Sequence, residues 1–247
     1  VADAKTATEK ILEYAAFHDT AQWLEKIEGW KEEHPLKMKE KPVLTPQKVI
    51  ETINEMFEEA IVVTDVGQHQ MFTTQYLELT EKKQLLTSGG LGTMGYGFPG
   101  AIGAQLGNPD TPVIAISGDG GMQMNIQEFA TAVGQELPLI LCVFNNNYLG
   151  MVRQWQTLFY DHRYSHTILN DAVDFVKLAE AMGAKAIRIT KMEEVEPALK
   201  EALACPGPIV LDCMIDQDLS VFPMVPAGAS IDDIFDEEDM KNNEQSV

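Results

Sequence analysis

The chain has 247 residues and carries 38 acidic against 18 basic side chains, a formal net charge of −20 at pH 7. Nucleic acids and anionic membrane surfaces both attract clustered Lys and Arg, so this charge argues against either as a partner. No apolar run approaches the roughly 20 residues that a membrane span requires. The three cysteines have no metal-ligand spacing. We therefore expect buried thiols in a reducing compartment, the cytoplasm or, in a eukaryote, an organelle matrix.

Residues 1–44 are predicted to form a helical connector. Trp23, Ile27 and Trp30 fall on one face of a helix. This face either packs on its own domain or belongs against a neighbouring one, and the sequence leaves both open. The N-terminus lacks a signal peptide and an initiating Met, which is typical of a processed or excised segment. A charged linker then leads to Thr45-Pro46, an N-cap residue and a first-turn proline that predict a helix start.

Helical and strand patterns alternate from residue 45 to residue 227, which predicts one α/β domain. Apolar runs predict strands over 60–65, 84–87, 112–117, 139–145, 186–189 and 208–214. Helical patterns cover 46–57, 96–106, 126–134, 172–182 and 192–203. Strands separated by helices predict a doubly wound, mostly parallel sheet with helices on both faces. Residues 228–247 are acidic and are predicted to form a mobile or loosely packed tail.

Polar or glycine-rich turns follow four of these strands, at 65–69, 88–95, 117–121 and 145–148. Ligands of doubly wound sheets bind at the carboxyl ends of the strands, so these turns are predicted to meet at one site. The segment 90–95 also fits the GxGxxG pattern of dinucleotide sites. Asp110 comes too early and Asp119 too late for the acidic residue that this pattern needs about 20 residues further on. The dinucleotide alternative is therefore weak.

Asp119 lies in a Gly-Asp-Gly-Gly turn after a buried strand, and Asn146 follows the next strand. Glycines allow close backbone approach, and the N–H groups of the following helix can bind phosphate oxygens. Mg²⁺ binds carboxylate, amide and carbonyl oxygens together with phosphate. The pair therefore predicts a magnesium and phosphate site. The alternative for Asp119 alone is a turn residue that caps the next helix.

Gly-Asp-Gly followed at this distance by Asn-Asn resembles the thiamine diphosphate motif. The segments DVGQHQM (65–71), TSGGLGTMGYG (87–97), QMNIQE (123–128), GMVRQWQ (150–156) and LFYDHRYSH (158–166) together resemble the catalytic subunit of acetolactate synthase. The resemblance covers nearly the whole chain. It implies the thiamine-diphosphate-binding fold, preceded by the end of a central domain at residues 1–44.

The resemblance also implies roles for individual residues. Asp119 and Asn146 would bind Mg²⁺ through their side chains and Tyr148 through its backbone carbonyl. Met94 would be the apolar wedge that keeps the cofactor bent. Met151 and Trp155 would line the pocket of the second substrate. The implied cofactor-binding set is Gln68, His69, Gly92, Met94, Asp119, Gly120, Gly121, Asn146, Tyr148, Gly150 and Met151.

The sequence leaves structural interpretations open beside these roles. Met94 and Met151 fit core methionines, Trp155 fits ordinary helix packing, and His69 fits a turn or helix start. Arg153 fits a surface cation, a partner for a substrate carboxylate, or a salt bridge. No catalytic residue is expected in this chain, because the family's activating Glu lies on a pyrimidine-binding domain for which we find no candidate here.

The resemblance implies a carboligase that decarboxylates pyruvate and joins the two-carbon unit to a second 2-keto acid, in branched-chain amino acid biosynthesis. Thiamine diphosphate and Mg²⁺ are the implied cofactors. FAD is expected in the full-length family, with its binding domain absent here. A homo-oligomer with paired cofactor and pyrimidine domains, and a small regulatory subunit, are the implied partners. We expect the chain alone to be inactive. The alternatives are a glyoxylate carboligase, a pyruvate oxidase or a non-catalytic Mg²⁺ and diphosphate-binding module.

Overall fold

The structure is a computed structural model that describes residues 1–36, 41–169, 173–237 and 239. Part of the predicted linker, the first residue of the helix predicted over 172–182, and residues 238 and 240–247 of the acidic tail lie outside these residues. The chain divides into two compact units, residues 1–39 and 40–247.

The first unit contains two helices, α1 (Ala4–Leu12) and α2 (Ala21–Glu33). The side chain of Asp3 caps α1 by accepting a hydrogen bond from the backbone N–H of Thr6. On α2 the rings of Trp23 and Trp30 meet edge-on, with centroids 6.4 Å apart. The Lys26 ammonium lies 5.3 and 4.8 Å from the two centroids, within cation–π range. The predicted aromatic face of this helix is therefore present.

The second unit contains six strands and eight further α-helices among the described residues. The strands are β1 (Ala60–Thr64), β2 (Lys83–Thr87), β3 (Val113–Gly118), β4 (Leu139–Asn145), β5 (Lys185–Ile189) and β6 (Ile209–Met214). The helices are α3 (Pro46–Met56), α4 (Gln68–Tyr76), α5 (Gly97–Gly107), α6 (Asp119–Met124), α7 (Phe129–Gly134), α8 (Gly150–Phe159), α9 (Phe175–Ala181) and α10 (Val195–Leu203). Short 3₁₀ helices cover Ile126–Glu128, Met192–Glu194 and Ile231–Asp233.

The six strands form one sheet in the order β2-β1-β3-β4-β6-β5, and every neighbouring pair is parallel. The predicted doubly wound α/β fold is confirmed. The chain runs from β1 outward to β2 and then returns to place β3 on the other side of β1. This reversal creates a crevice at the carboxyl ends of β1 and β3, where ligands of such sheets bind.

Successive residues of a strand point to opposite faces of the sheet. Helices cover both faces. One face packs against α5, α7 and α9, with Phe98 and Phe129 in contact at 4.8 Å between centroids. Helix α3 contacts α4 and α10. Helix α4 also contacts β1 and β3, and α10 contacts β5. Strands β1, β3 and β4 are buried along their whole length, as their continuous apolar sequences predict.

Local sequence signals fix several element ends. Thr45 caps α3 as predicted, with its hydroxyl oxygen accepting from the N–H of Lys48 at 3.2 Å. The helices predicted over 126–134 and 192–203 each open with a 3₁₀ turn. The three cysteines are free and buried, as expected. No helix in the described part of the chain combines the length and apolarity needed to cross a bilayer.

Candidate functional site

A cavity of about 220 Å³ opens at the carboxyl edge of the sheet, where the turns after β1, β3 and β4 meet. The structure brings all eleven residues of the predicted cofactor set to its wall. Part of the apolar wall was not predicted from the sequence, namely Phe72, Phe144, Leu149 and Ile215. These side chains come from helix, strand and loop positions that look like ordinary core residues in the sequence.

Asp119 is the first residue of α6 and its side chain is buried, at 3% exposure. One carboxylate oxygen, Oδ1, accepts a hydrogen bond from the Gly120 N–H at 2.9 Å. The other, Oδ2, is buried and has no hydrogen-bond partner. Burial raises the pKa of Asp119 to about 6, against the opposing effect of backbone N–H groups led by Gly120. A buried oxygen without a partner destabilises the fold, and a cation beside it would remove that cost.

The turn after β4 places two further oxygens close to the end of β3. Gly118 pairs with Phe144 across the two strands, so the turns that follow them are neighbours. Asn146 Oδ1 accepts from the Tyr148 N–H at 3.0 Å, and Asn147 between them has a left-handed φ of +61°. Tyr148 forms an antiparallel β-bridge with Ile168. The two backbone hydrogen bonds of this bridge are made by the residues on either side, so they do not involve the Tyr148 carbonyl.

The donor types at this site decide which metal it suits. Within the described ranges, no three His, Cys, Asp or Glu side chains are grouped as a metal site. A cation here would therefore have one carboxylate together with amide and carbonyl oxygens. Such a hard-oxygen set suits Mg²⁺, which usually completes its octahedron with phosphate oxygens and water. The residues present fit a magnesium ion that is bound by the protein and by a phosphate group together.

Gly118, Gly120 and Gly121 flank Asp119 and add no side-chain atoms to this part of the cavity. A Cβ on Gly120 would lie 2.8 Å from Leu149 Cδ2, and one on Gly118 would lie 2.8 Å from His69 Nδ1. Helices α4 and α8 begin at this wall, and neither has a side-chain cap on its first N–H groups. Free N–H groups at a helix start bind anions, so the backbone of this wall suits a diphosphate.

His69 lies in the first turn of α4 and is 7% exposed. Its Nε2 is buried without a hydrogen-bond partner. Burial lowers the pKa of His69 to about 4, although the nearby Asp65 carboxylate opposes the shift. The imidazole is therefore neutral at pH 7, and it can offer a ligand a single hydrogen bond rather than a positive charge.

Gln68 and Gln154 link α4, α8 and the segment after β6. Gln68 Nε2 donates to Gln154 Oε1 at 2.7 Å and to the Leu219 carbonyl at 3.2 Å. The Gln154 amide also bonds the Val221 backbone in both directions, each at 2.9 Å. Gln68 thus reaches the cavity wall while its amide nitrogen is engaged by protein groups. No role for Gln154 was predicted from the sequence, because its partner Val221 lies 67 residues further along the chain.

The structure shows the surroundings of two residues of α8, Arg153 and Trp155, for which the sequence left several interpretations open. Arg153 is 9% exposed, and its Nη2 forms an ion pair with Asp218 at 2.7 Å. Its guanidinium also lies 4.3 and 4.2 Å from the ring centroids of Tyr148 and Tyr164. Of the three interpretations of Arg153, the salt bridge is therefore present. Trp155 is 42% exposed and contacts Phe159 edge-on, and it is not among the residues that line the cavity.

Residues 65–213 match the family described as thiamine pyrophosphate enzyme, C-terminal TPP binding domain. The matched range begins at the turn after β1 and contains Asp119 and Asn146. Residues 65–213 also include five of the six strands, so the match covers most of the second unit.

Several curated relatives of this chain are subunits of acetolactate synthase. This chain is 44% identical to the acetolactate synthase large subunit of Porphyra purpurea, over 84% of this chain and 35% of the relative. The large subunit of Corynebacterium glutamicum is 44% identical over 95% of this chain and 40% of its own length. The mitochondrial catalytic subunit of Saccharomyces cerevisiae is 44% identical over 87% of this chain and 32% of its own length. The chain thus spans about a third to two-fifths of these relatives.

The resemblance to acetolactate synthase catalytic subunits is confirmed by these relatives. The sheet order, the glycine-lined cavity and the matched range agree on the same region of the molecule. The chain belongs to the thiamine pyrophosphate enzyme family, in which residues 65–213 correspond to the C-terminal TPP binding domain.

Proposed function

We propose that this chain provides the thiamine diphosphate and Mg²⁺ site of an acetolactate synthase, which decarboxylates pyruvate and joins the two-carbon unit to a second 2-keto acid. The observation that carries the proposal is the buried, unpartnered Oδ2 of Asp119 in a cavity lined by all eleven predicted residues. Because the chain spans about a third to two-fifths of its relatives, we expect activity only together with the remaining part of such an enzyme.

The proposed roles divide the cavity into a polar and an apolar part. Asp119, Asn146 and the Tyr148 carbonyl would hold Mg²⁺, while the backbones of Gly120 and Gly121 would bind the diphosphate. Gln68 and His69 would approach the same phosphates from the start of α4. A neutral His69 suits this position, since it can form a hydrogen bond without competing with the metal for the phosphate charge.

The apolar part would hold the organic rings of the cofactor. Met94 would act as the wedge beneath it, with Gly92, Gly150 and Met151 around the aminopyrimidine. When bound, thiamine diphosphate supplies the electron sink for decarboxylation of a 2-keto acid. The buried walls formed by Phe72 and Phe144 would exclude water from that reaction.

Several wider proposals follow from the resemblance to the acetolactate synthase family. Met151 and Trp155 would face the second 2-keto acid. The cofactor domain would cover residues 45–227, with a connector at 1–44 and a tail at 228–247. FAD, a homo-oligomer and a small regulatory subunit would complete the enzyme. A cytoplasmic or organelle-matrix location is proposed, and the yeast relative is named as mitochondrial.

Exchange of the matching segment would test this function directly. In the Corynebacterium glutamicum enzyme, which matches 95% of this chain, residues 1–247 would replace the corresponding part. We expect acetolactate from pyruvate when thiamine diphosphate and Mg²⁺ are supplied. The same exchange carrying Asp119→Asn is the matched control and should give no product, while its assembly state is checked by sedimentation.

The alternatives give different results in the same assay. Product from glyoxylate but not from pyruvate would favour a glyoxylate carboligase, and oxygen consumption with pyruvate would favour a pyruvate oxidase. A correctly assembled exchange enzyme that binds the cofactor but forms no product would favour a non-catalytic binding module. For residues 1–247 alone with pyruvate, thiamine diphosphate and Mg²⁺, we expect no acetolactate.

A further inference from the structure

The carboxylate of Asp65 collects three backbone N–H groups from two segments of the chain. Asp65 directly follows β1 and is 1% exposed. Its Oδ1 accepts from Val66 at 2.8 Å and from Gly95 at 3.0 Å, and its Oδ2 accepts from Gly97 at 2.8 Å. Both oxygens are therefore satisfied by protein donors. Two of these donors lie about 30 residues further along the chain, at the end of the glycine-rich segment 88–97.

A second side chain, that of Asn125, bonds the other polar group of the Gly95 backbone. Asn125 Nδ2 donates to the Gly95 carbonyl at 2.6 Å. Gly95 has a left-handed φ of +90°, and a Cβ at this position would lie 2.7 Å from Asn125 Nδ2. A Cβ on Gly97 would lie 2.7 Å from the backbone nitrogen of Asp65. Only glycine permits these approaches, so the segment and the two side chains fit as one unit.

The residue before this fixed point is Met94. The middle of the segment is otherwise exposed, with Leu91 at 91% and open space around the Cβ position of Gly90. Ser88 accepts hydrogen bonds from the N–H groups of Gly92 and Thr93 on the N-terminal side of Met94, so the C-terminal side of Met94 depends on how Gly95 is held. Asp65 is itself absent from the cavity wall, so it would act through the backbone rather than by touching a ligand.

We propose that Asp65, supported by Asn125, is the positioning residue that holds the Met94 segment against the cavity so that the organic part of thiamine diphosphate can bind. The proposal rests on the proposed function above. It separates two parts of the site. The magnesium and diphosphate part, around Asp119 and Asn146, lies on the turns after β3 and β4, whereas the Met94 part is bonded to the Asp65 carboxylate through Gly95 and Gly97.

Two ligands distinguish these parts in a calorimetric titration of the chain. Thiamine diphosphate with Mg²⁺ uses both parts, whereas inorganic pyrophosphate with Mg²⁺ uses only the part around Asp119. Asp65→Asn keeps the shape but turns an amide N–H₂ toward a backbone donor. We expect the affinity for thiamine diphosphate to fall at least about tenfold, the loss of one charged hydrogen bond, with the affinity for pyrophosphate within about twofold of wild type.

Gln105→Met is the matched control. Gln105 is also buried, and its amide holds the carbonyls of Asn108 and Thr111 at the opposite edge of the sheet. This substitution should lower thermal stability while leaving both affinities unchanged. Asn125→Ser is a second test at a less buried position, and we expect it to weaken thiamine diphosphate binding by about threefold, as for one neutral hydrogen bond.

Hydrogen exchange measured by mass spectrometry tests the same positions without any ligand. In Asp65→Asn, segment 91–98 should exchange at least about tenfold faster than in wild type, and Gln105→Met should not change it. Equal weakening of both ligands, or unchanged affinities with unchanged exchange, would overturn the positioning role. If the wild-type chain binds neither ligand, the proposed function is contradicted, and the exchange of segment 91–98 still decides the role of Asp65.

Discussion

Asp65 and Asp119 follow neighbouring strands and are both buried, at 1% and 3% exposure, yet their carboxylates are used in different ways. The oxygens of Asp65 accept three backbone hydrogen bonds. Asp119 accepts one bond from Gly120 at Oδ1 and leaves Oδ2 without a partner. The difference lies in the partners rather than in the residue type or the depth of burial.

This contrast separates a structural carboxylate from one that is prepared for a ligand. Protein donors stabilise the charge of Asp65, so the folded chain needs nothing else there. The charge of Asp119 lacks that compensation, and burial raises its pKa to about 6. A bound Mg²⁺ would supply the missing compensation. The same acidic side chain thus stabilises the fold at one strand end and destabilises it at the next, which is common at functional sites.

The two glycines after Asp119 give the largest expected difference. A Cβ on Gly121 would meet the Asp65 carboxylate and lie 3.2 Å from Ser117 Oγ, whereas on Gly120 it would meet the flexible end of Leu149. We expect Gly121→Ala to lower the free energy of unfolding by about 3 kcal/mol and Gly120→Ala by less than about 1 kcal/mol. Urea denaturation would measure both.

Gly134→Ala serves as the control, since a Cβ there meets nothing within 4 Å. Its effect on the free energy of unfolding should be within about 1 kcal/mol of zero. Gly120→Ala should instead weaken thiamine diphosphate binding, because the new methyl group occupies the cavity wall. Equal destabilisation by Gly120→Ala and Gly121→Ala would contradict the close packing of Gly121 against the Asp65 carboxylate.

Removing one negative charge from Asp65 should destabilise the fold. Asp65→Asn replaces an acceptor with a donor that faces a backbone N–H, and we expect a loss of about 2 kcal/mol in the free energy of unfolding at pH 7. Thermal and urea denaturation would measure it. An unchanged free energy would show that the three hydrogen bonds of Asp65 contribute nothing net to the fold.

The same substitution at Asp119 should have the opposite sign. Its pKa is raised from 3.8 to about 6, which corresponds to about 3 kcal/mol of destabilisation above pH 6. Part of this cost persists because the new amide N–H₂ also lacks a partner. We therefore expect Asp119→Asn to stabilise the metal-free chain by about 1 kcal/mol at pH 7.

The pH dependence provides the check on that cause. A carboxyl group whose pKa is raised on folding binds its proton more tightly in the folded state, so it lowers stability as pH rises from about 4 to about 6. The advantage of Asp119→Asn over wild type should grow across this window and remain constant above pH 6. Denaturation at pH 4, 5, 6 and 7 would follow it. A constant difference across these four values would rule out the burial of charge as the reason.

The sheet and much of the site were predictable from sequence because their signals are local. Continuous apolar runs predicted six strands to within a residue or two, and glycine-flanked polar turns predicted which strand ends would meet. Helices α4, α6 and α8 were not among the helical patterns predicted from the sequence, because they begin at glycines and polar residues that are typical of loops. Their starts are set by the strand ends from which they leave.

What the sequence could not predict are contacts between distant segments. Asp65 looked like part of a ligand-binding turn, and its three hydrogen bonds became visible only in the folded chain. Arg153 and Gln154 have partners more than 60 residues away, at Asp218 and Val221. Residue types alone could not distinguish a carboxylate that accepts three hydrogen bonds from one that accepts one, since that depends on the tertiary structure.

The most direct test of the central claim is a calorimetric titration of the chain with thiamine diphosphate and Mg²⁺ at pH 8, comparing wild type with Asp119→Asn. Both should be folded, with the variant the more stable. We predict Mg²⁺-dependent binding to wild type and an affinity at least about a hundredfold lower for the variant, because Asp119 is the charged member of the three proposed metal ligands. Equal affinities in the two proteins would contradict the assignment of the Asp119 carboxylate as the metal ligand.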